Sequence, residues 1–191
     1  METHFKLYKP YGYISQMMSN DERQARKKDF LSDLYEFPEG SMAIGRLDEK
    51  SEGLLLITTD GKTSDTVNRS GIEKEYYTQV DGDIDEVSIQ KLASGIEIGL
   101  DGGKYITQPC KVSRLAAEPE LPQRKKKIRD ARHGPTSWLS ITITEGKFRQ
   151  VRKMTSAVGF PTLRLVRVRI GEIYLENMQP GEVHLIHEIL T

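Results

Sequence analysis

The stretch "GRLDEKSEGLLLITTDG", residues 45–61, decides how the first part of the chain folds. Its apolar run at residues 54–57 is followed by an Asp-Gly pair, and this pattern is typical of a buried strand that ends in a turn. Arg46 and Asp48 come just before the run. The sequence therefore predicts that both side chains lie at the edge of the core.

Length and composition narrow the class of protein. The 191 residues suffice for one domain, or for two closely joined halves, with a real core. Every apolar run is shorter than the ~20 residues that span a bilayer, and the start "METHFKLYKP" lacks the apolar region of a signal peptide. The single cysteine cannot form an internal disulfide. We expect a globular, cytoplasmic protein that makes no membrane contact.

The net charge of zero hides a strong asymmetry. Residues 1–100 carry 12 Lys/Arg and 19 Asp/Glu, whereas residues 101–191 carry 16 and 9, so the two parts have net charges of −7 and +7. Within residues 104–169 the count is 16 basic to 4 acidic residues. A polyanion such as nucleic acid is attracted to a surface of this kind.

Periodicity and turn residues predict the main elements. Residues 20–39 fit either a short helix or an ordered loop, and the proline-rich, basic residues 118–135 fit an exposed loop. The other predicted elements are strand, loop and strand over 4–15, a helix at 62–69, a strand at 73–82, a helix from Asp85 as N-cap to about Ser94 with Gly95 as its stop, extended chain at 105–115, and a half-buried strand at 137–144 with Trp138 opposite Leu139, Ile141 and Ile143.

A basic helix is predicted from "EGKFRQVRKMTSAVGFP", residues 145–161. Apolar residues recur on one face, and Gly159 stands where a helix stops. Arg149, Arg152 and Lys153 share the other face near the N-terminal end, where the helix dipole adds positive potential. The strand "LRLVRVRIG" that follows has its valines and Ile170 on one side and Arg167 and Arg169 on the other.

Taken singly, these features have ordinary explanations. Asp48 alone would be a turn residue or a surface charge, and a basic stripe is often only a solvated face. His184 and His187 have no further ligand candidates in a metal-binding pattern, and the glycines at 99–103 lack phosphate-loop spacing. We therefore expect no metal site and no nucleotide cofactor.

The order of the motifs is more specific than any one of them. The chain contains, in sequence, "KPYGYIS", "GRLDEKSEGLLLITTDG", "KEYYTQV", "EGKFRQVRKM" and "LRLVRVRIG". Together they resemble the RsuA-type ribosomal RNA pseudouridine synthases over most of the chain. The resemblance implies an enzyme that isomerises uridine to pseudouridine in RNA without a cofactor, by breaking the N1–C1′ bond, turning the uracil and rejoining it through C5.

The resemblance also implies roles for single residues. Asp48, the aspartate of the GRLD element, matches the catalytic carboxylate, which either attacks the sugar or removes a sugar proton. Arg152 is the candidate cation that keeps this carboxylate ionised in a partly dry pocket. Tyr76, in the KxY element, would stack on the flipped base and offer a hydroxyl for proton transfer. Arg46 would hold the RNA backbone or fill the space that the extruded uridine leaves.

Other basic residues are candidates for RNA contacts. Extruding a nucleotide costs a few kcal/mol, which contacts to phosphates must offset. We assign such contacts to Lys9, Arg149, Lys153 and Arg164. The basic loop 124–132 is either a further contact or a disordered stretch of charge.

The sequence departs from the commonest family plan in two places. It begins almost at the KPYG element, so we expect no N-terminal S4 domain and a single catalytic domain over residues 1–191, as in the short, RluE-like members that act on the large subunit. Phe148 stands where many relatives carry Asn or Tyr. We expect a monomer that acts on 23S ribosomal RNA.

We expect an α+β fold with a mixed, largely antiparallel sheet and flanking helices. A central RNA-binding cleft would lie between the −7 and +7 portions, with Asp48 at its bottom.

Two other functions stay open on the residues alone. A non-catalytic RNA-binding or ribosome-assembly factor would keep the same fold and use Asp48 as a turn residue. A nucleoside hydrolase would need a second carboxylate, for which Glu49 or Glu52 could serve.

Overall fold

The computed structural model describes residues 2–189. It divides the chain into two compact units. Unit 1 contains the residues up to Ile72 and those from Arg167 onward, and unit 2 contains Glu73–Val166.

The secondary structure alternates short strands and helices. In chain order the elements are β1 His4–Lys9, α1 Glu22–Ala25, a 3₁₀ turn at Leu31–Asp33, β2 Met42–Ile44, β3 Glu52–Thr58, α2 Gly61–Arg69, β4 Lys74–Asp81, α3 Glu86–Ser94, β5 Glu97–Leu100, β6 Gly103–Ile106, β7 Lys111–Arg114, a 3₁₀ turn at Ala131–His133, β8 Thr136–Ile143, α4 Gln150–Ala157, β9 Thr162–Ile170, β10 Ile173–Tyr174 and β11 Val183–Ile186.

Unit 1 is built on β3, the strand that the opening stretch predicts. All seven of its residues are buried, and the chain turns into α2 immediately after it, so this prediction is confirmed. β3 pairs antiparallel with β1, with Leu7 opposite Leu55, and with β2 through its last three residues. On its other edge β1 pairs antiparallel with β11. A strand covered on both faces needs no polar alternation, which is why its sequence reads as a continuous apolar run.

Residues 20–39 form an ordered loop that contains one short helix. α1 is only four residues long and buries none of them. Leu31 is fully buried in the 3₁₀ turn, and Leu34 and Phe37 pack against the cluster formed by the side chains of β1 and β3. The apolar spacing therefore comes from a loop that covers the sheet. The second strand predicted before residue 15 is wrong, because Tyr13 forms only an isolated bridge with Asp29.

In unit 2, β8 lies between β4 and β7, and both pairings are antiparallel. Asp85 caps the start of α3, where its carboxylate accepts a hydrogen bond from the Ser88 backbone N–H at 2.7 Å, and Gly95 follows the last residue of the helix, as the sequence predicts. β5 and β6 form a separate hairpin. The prediction that β8 is half-buried is wrong at Trp138, which is only 6% exposed, so both faces of the strand are covered there.

α4 has the polarity that its sequence predicts. Val151 and Met154 are buried, and Gly159 takes a positive φ of 87° just beyond the helix. Arg149, immediately before the helix, adopts the left-handed conformation, with φ 52° and ψ 35°. This conformation is uncommon for a residue with a side chain, and it fixes how the chain enters the helix. β9 then carries the chain from unit 2 into unit 1.

The prediction of an α+β protein with a largely antiparallel sheet and flanking helices is confirmed. The pairs β1–β11, β1–β3, β4–β8 and β7–β8 are antiparallel, α2 packs on β2 and β3, α3 on β7, and α4 on β5. Among residues 2–189, no helix has the length and apolar character needed to cross a bilayer.

Gly95 supports the first testable prediction. It has a φ of +100°, and a Cβ added there would clash with the backbone carbonyl oxygen of Thr107. Gly102 has nearly the same φ, +101°, but its Cβ would meet no atom within 4 Å. We expect Gly102→Ala to lower the free energy of unfolding by about 1–2 kcal/mol, the cost of the left-handed backbone. Gly95→Ala should cost about 1–3 kcal/mol more, because a backbone atom cannot move aside as a side chain can.

Urea unfolding of the two variants and the wild type measures this difference. Equal losses for both variants would show that the contact between Gly95 and Thr107 does not constrain the turn after α3.

Candidate functional site

Asp48 lies in a tight loop that leads into β3. The Ser15 hydroxyl donates to the carbonyl of Leu47 at 2.8 Å and accepts from the Leu47 N–H at 2.9 Å. The Ser51 N–H donates to the Asp48 carbonyl at 2.9 Å, and the Ser51 hydroxyl lies 3.4 Å from Asp48 Oδ2. These bonds fix the backbone on both sides of a half-buried carboxylate. Arg46, two residues earlier, is exposed.

Lys9 connects this loop to the chain that follows β1. Its side chain is completely buried, and its Nζ donates to the carbonyls of Pro10 at 2.9 Å and Tyr13 at 2.7 Å and lies 3.5 Å from the carbonyl of Glu49. The Gly12 N–H also donates to the Glu49 carbonyl, at 2.8 Å. The KPYG turn and the Asp48 loop are therefore tied together by one ammonium group and one backbone bond.

The charges around Lys9 are mixed. Burial lowers its pKa from 10.5 to about 7, because an ammonium loses its hydration, and Arg167 acts in the same direction. The carboxylates of Glu52, Asp48 and Glu49 oppose this shift. The structure thus places Lys9 in the interior beside the loop of Asp48, where its ammonium contacts carbonyl groups of the protein itself.

Two arginines of β9 are also buried. Arg164 is 5% exposed and donates to the Pro122 carbonyl at 2.7 Å. Arg167 donates through Nε to the Leu54 carbonyl at 2.8 Å. The sequence makes Arg164 a candidate for an RNA contact and sets Arg167 opposite Val166 and Val168. Both arginine side chains are buried, because each finds a backbone acceptor that supports its burial.

Unit 2 brings the three basic residues of α4 together, as predicted. Arg149, Arg152 and Lys153 line an open pocket of about 420 Å³. Its other walls are residues 97–99 of β5 and Ser156 and Ala157 of α4. Lys153 donates to the Gly99 carbonyl at 2.7 Å and so joins the helix to the β5–β6 hairpin. The pocket is a concave surface that carries three cations and one carboxylate, that of Glu97, which pairs with Lys104 at 2.8 Å.

A carboxylate that the sequence analysis did not single out fixes the start of α4. Glu145 accepts hydrogen bonds from the Tyr105 hydroxyl, from the Gln108 N–H at 2.7 Å and from the Gln150 side-chain amide at 2.7 Å. The first of these raises the pKa of Tyr105. A sign of this role was present in the sequence, since Glu145 opens the EGKFRQVRKM element and Gln150 lies within it.

The remaining candidates have simpler surroundings. Tyr76 is buried in β4, opposite Ile141 of β8. In the basic loop 124–132, Arg124 donates to the Leu163 carbonyl at 3.4 Å and Arg129 pairs with Asp81, so these two arginines anchor the loop. Lys125, Lys126 and Lys127 are exposed. Within residues 2–189, no three His, Cys, Asp or Glu side chains gather so as to hold a metal ion.

Comparison with known proteins gives independent evidence about the family of this chain. A family model described as RNA pseudouridylate synthase matches residues 3–157. The ribosomal large subunit pseudouridine synthase E of Xanthomonas campestris pv. campestris is 43% identical, covering 92% of this chain and 91% of its own length. The enzyme of the same name from Vibrio parahaemolyticus is 42% identical, covering 91% of this chain and 69% of its own length. A crystal structure of a pseudouridylate synthase superposes with a TM-score of 0.77 at 26% identity, covering 98% of this chain and 71% of the other.

The lowered pKa of Lys9 gives a prediction for stability against pH. Between about pH 7 and the ordinary lysine pKa of 10.5, the unfolded chain holds a proton at Lys9 that the folded protein has lost. Raising the pH through this window therefore favours the folded protein, by roughly 1 kcal/mol per pH unit. We expect the wild type to gain stability relative to Lys9→Met as the pH rises from about 7 to about 9.

Urea unfolding at several pH values measures this difference in slope. The exposed Lys27 provides the control, because Lys27→Met should follow the wild type at every pH. Lys9→Gln serves as a second variant if Lys9→Met does not fold. Parallel curves for the wild type and both Lys9 variants would contradict the prediction.

Proposed function

This chain belongs to the RNA pseudouridylate synthase family, and from that premise we propose that it isomerises uridine to pseudouridine in the RNA of the large ribosomal subunit. The proposed substrate is supported mainly by the 43% identity to a ribosomal large subunit pseudouridine synthase E over nine-tenths of both chains. The ordered motifs and the basic residues 104–169 support it from the sequence alone.

The chemistry asks for a carboxylate that stays ionised beside a sugar. We propose that this group is Asp48, whose backbone is fixed by Ser15 and Ser51. It either attacks C1′ or removes a sugar proton, and in both cases the N1–C1′ bond breaks and a C5–C1′ bond replaces it. C5 loses its proton and N1 gains one, so the composition of the nucleotide is unchanged and no co-reactant is needed.

Other residues have supporting roles in the proposal. Arg152 supplies the fixed positive charge for the carboxylate, and Tyr76 stacks on the flipped uracil and offers its hydroxyl for proton transfer. Arg46, which is exposed, contacts the RNA backbone or occupies the space of the extruded uridine. Arg149 and Lys153, at the basic pocket of α4, contact phosphates.

Lys9 and Arg164 need a different role from the one their charge suggests. Both are buried and both donate to carbonyls of the protein. We propose that Lys9 positions the loop of Asp48 and that Arg164 fixes β9 to the segment at Pro122. Their contribution to RNA binding would then be indirect.

The proposal extends to the setting of the reaction. The substrate would be 23S RNA, the site of action the cytoplasm, and the protein a monomer. The family model spans residues of both units, which supports a single catalytic domain over residues 1–191.

Asp48→Asn is the direct test of this function. The change keeps the shape of the side chain but removes its negative charge, so we expect pseudouridine formation to fall below detection. RNA binding should persist, because phosphate contacts lie on other residues. Carbodiimide labelling and primer extension on ribosomal RNA from cells lacking the gene, with each variant added back, locate the modified uridine.

Asp65→Asn is the matched control, because Asp65 is an exposed carboxylate of α2 in an ion pair with Arg69. It should restore the site as the wild type does. Full restoration by Asp48→Asn would favour a non-catalytic RNA-binding factor, and release of free uracil would favour a hydrolase.

A second comparison distinguishes the residue that we assign to catalysis, Arg152, from a residue that we assign to RNA binding, Lys153. Arg152→Gln removes the positive charge assigned to the Asp48 carboxylate, and we expect kcat to fall by about 100-fold or more. Lys153→Gln removes a neighbouring charge of the same pocket, and we expect KM to rise while kcat is retained. Steady-state kinetics on the RNA identified by mapping measures both. An Arg152→Gln variant with normal kcat would remove Arg152 from the mechanism.

A further inference from the structure

Phe148 is an aromatic side chain that the fold leaves exposed. It lies in the turn just before α4, and 67% of its surface is accessible. Single exposed apolar residues are common on protein surfaces, so exposure alone does not indicate a function. Its surroundings distinguish Phe148 from the similarly exposed Val87 of α3, which follows the acidic pair Asp85 and Glu86.

The turn that carries Phe148 is rigidly held. The Gln150 N–H donates to the Lys147 carbonyl at 3.1 Å, and the Lys147 N–H donates back to the Gln150 side chain at 3.1 Å. Gln150 is itself held by Glu145, which accepts from the β6 residue Tyr105 and from Gln108. Bonds on both sides of Phe148 therefore fix the backbone from which the ring projects. A fixed backbone lowers the conformational entropy that a contact made by this side chain costs.

Two basic residues lie next to Phe148, one over its ring and one beside it in the chain. The Lys153 ammonium lies over it, 5.2 Å from the ring centroid, and Arg149 follows it directly in the chain. Both basic residues also line the pocket of about 420 Å³ beside α4, together with Arg152. An accessible aromatic ring next to cations is the combination with which proteins bind single-stranded nucleic acid, because the base stacks and the backbone phosphates are neutralised.

We propose that Phe148 is a stacking platform for an unpaired base of the RNA substrate, and that the basic pocket takes an adjoining phosphate. This inference rests on the proposed function for the identity of the ligand as RNA. Bases in a duplex already stack on their neighbours, whereas an unpaired base offers a free π-face to the ring. Phe148 therefore gives the protein a preference for RNA that contains unpaired bases.

Binding measurements test the stacking step. The probe is a fluorescein-labelled, uridine-containing single strand of about 12 nucleotides, used alone and annealed to its complement. We expect Phe148→Ala to weaken binding of the single strand by about 10-fold and to leave binding of the duplex unchanged. Phe148→Tyr should retain binding, because its ring also stacks. Val87→Ala, the matched control, should behave as the wild type with both probes.

The salt dependence separates stacking from charge. Phe148→Ala should leave the slope of log affinity against log salt unchanged, whereas Lys153→Gln should reduce it by about one. Wild-type affinity of Phe148→Ala for the single strand, or an equal loss for single strand and duplex, would overturn the proposal. A parallel weakening by Val87→Ala would overturn it as well.

The same proteins are assayed for pseudouridine in ribosomal RNA, which separates this inference from the proposed function. If the wild type forms pseudouridine and Phe148→Ala binds normally, the stacking role fails and the function stands. If the wild type forms none but the single strand binds in a Phe148-dependent way, the function fails and the stacking role stands.

Discussion

The buried ammonium of Lys9 is the interaction on which the arrangement around Asp48 depends. Taking an ammonium out of water is costly unless acceptors replace its hydration, and here the replacements are the carbonyls of Pro10 and Tyr13, with that of Glu49 close by. Those acceptors belong to two loops that are distant in sequence. Satisfying this one amino group therefore fixes both loops, and the position of Asp48 depends on contacts that are distant in sequence as well as on its local turn.

Unit 2 follows the same logic with the opposite charge. Glu145 draws donors from the β6 residue Tyr105, from Gln108 and from Gln150, and so sets the entry into α4. Arg149 then adopts a left-handed conformation, and the basic residues after it line an open pocket. In each unit, one charged group forms hydrogen bonds with other parts of the protein. These bonds fix the backbone next to the residues that we assign to catalysis or to RNA binding. A preorganised site of this kind needs little rearrangement when the ligand binds.

The sequence predicts the elements whose causes are local. β3 follows from an apolar run, α3 from the cap at Asp85 and the stop at Gly95, and α4 from the spacing of Val151 and Met154. It does not predict the burial of Lys9, Arg164 or Arg167, because a charged residue in a pattern is read as solvated. Arg167 can be buried because it donates a hydrogen bond to the carbonyl of Leu54, 113 residues away in the chain. A local sequence pattern cannot reveal an acceptor that is so distant in sequence.

The site shows the same division between what is local and what is not. Periodicity alone places Arg149, Arg152 and Lys153 on one face of α4, and the pocket confirms that they lie together. Asp48 has no such signature, since an aspartate before a strand is usually a turn residue, and only the order of several motifs singles it out. Basic residues that bind a long polyanion cover a surface, so their number shows in the composition of the sequence. A single catalytic carboxylate such as Asp48 does not change the composition, so the structural evidence for it comes from the loops that fix its position.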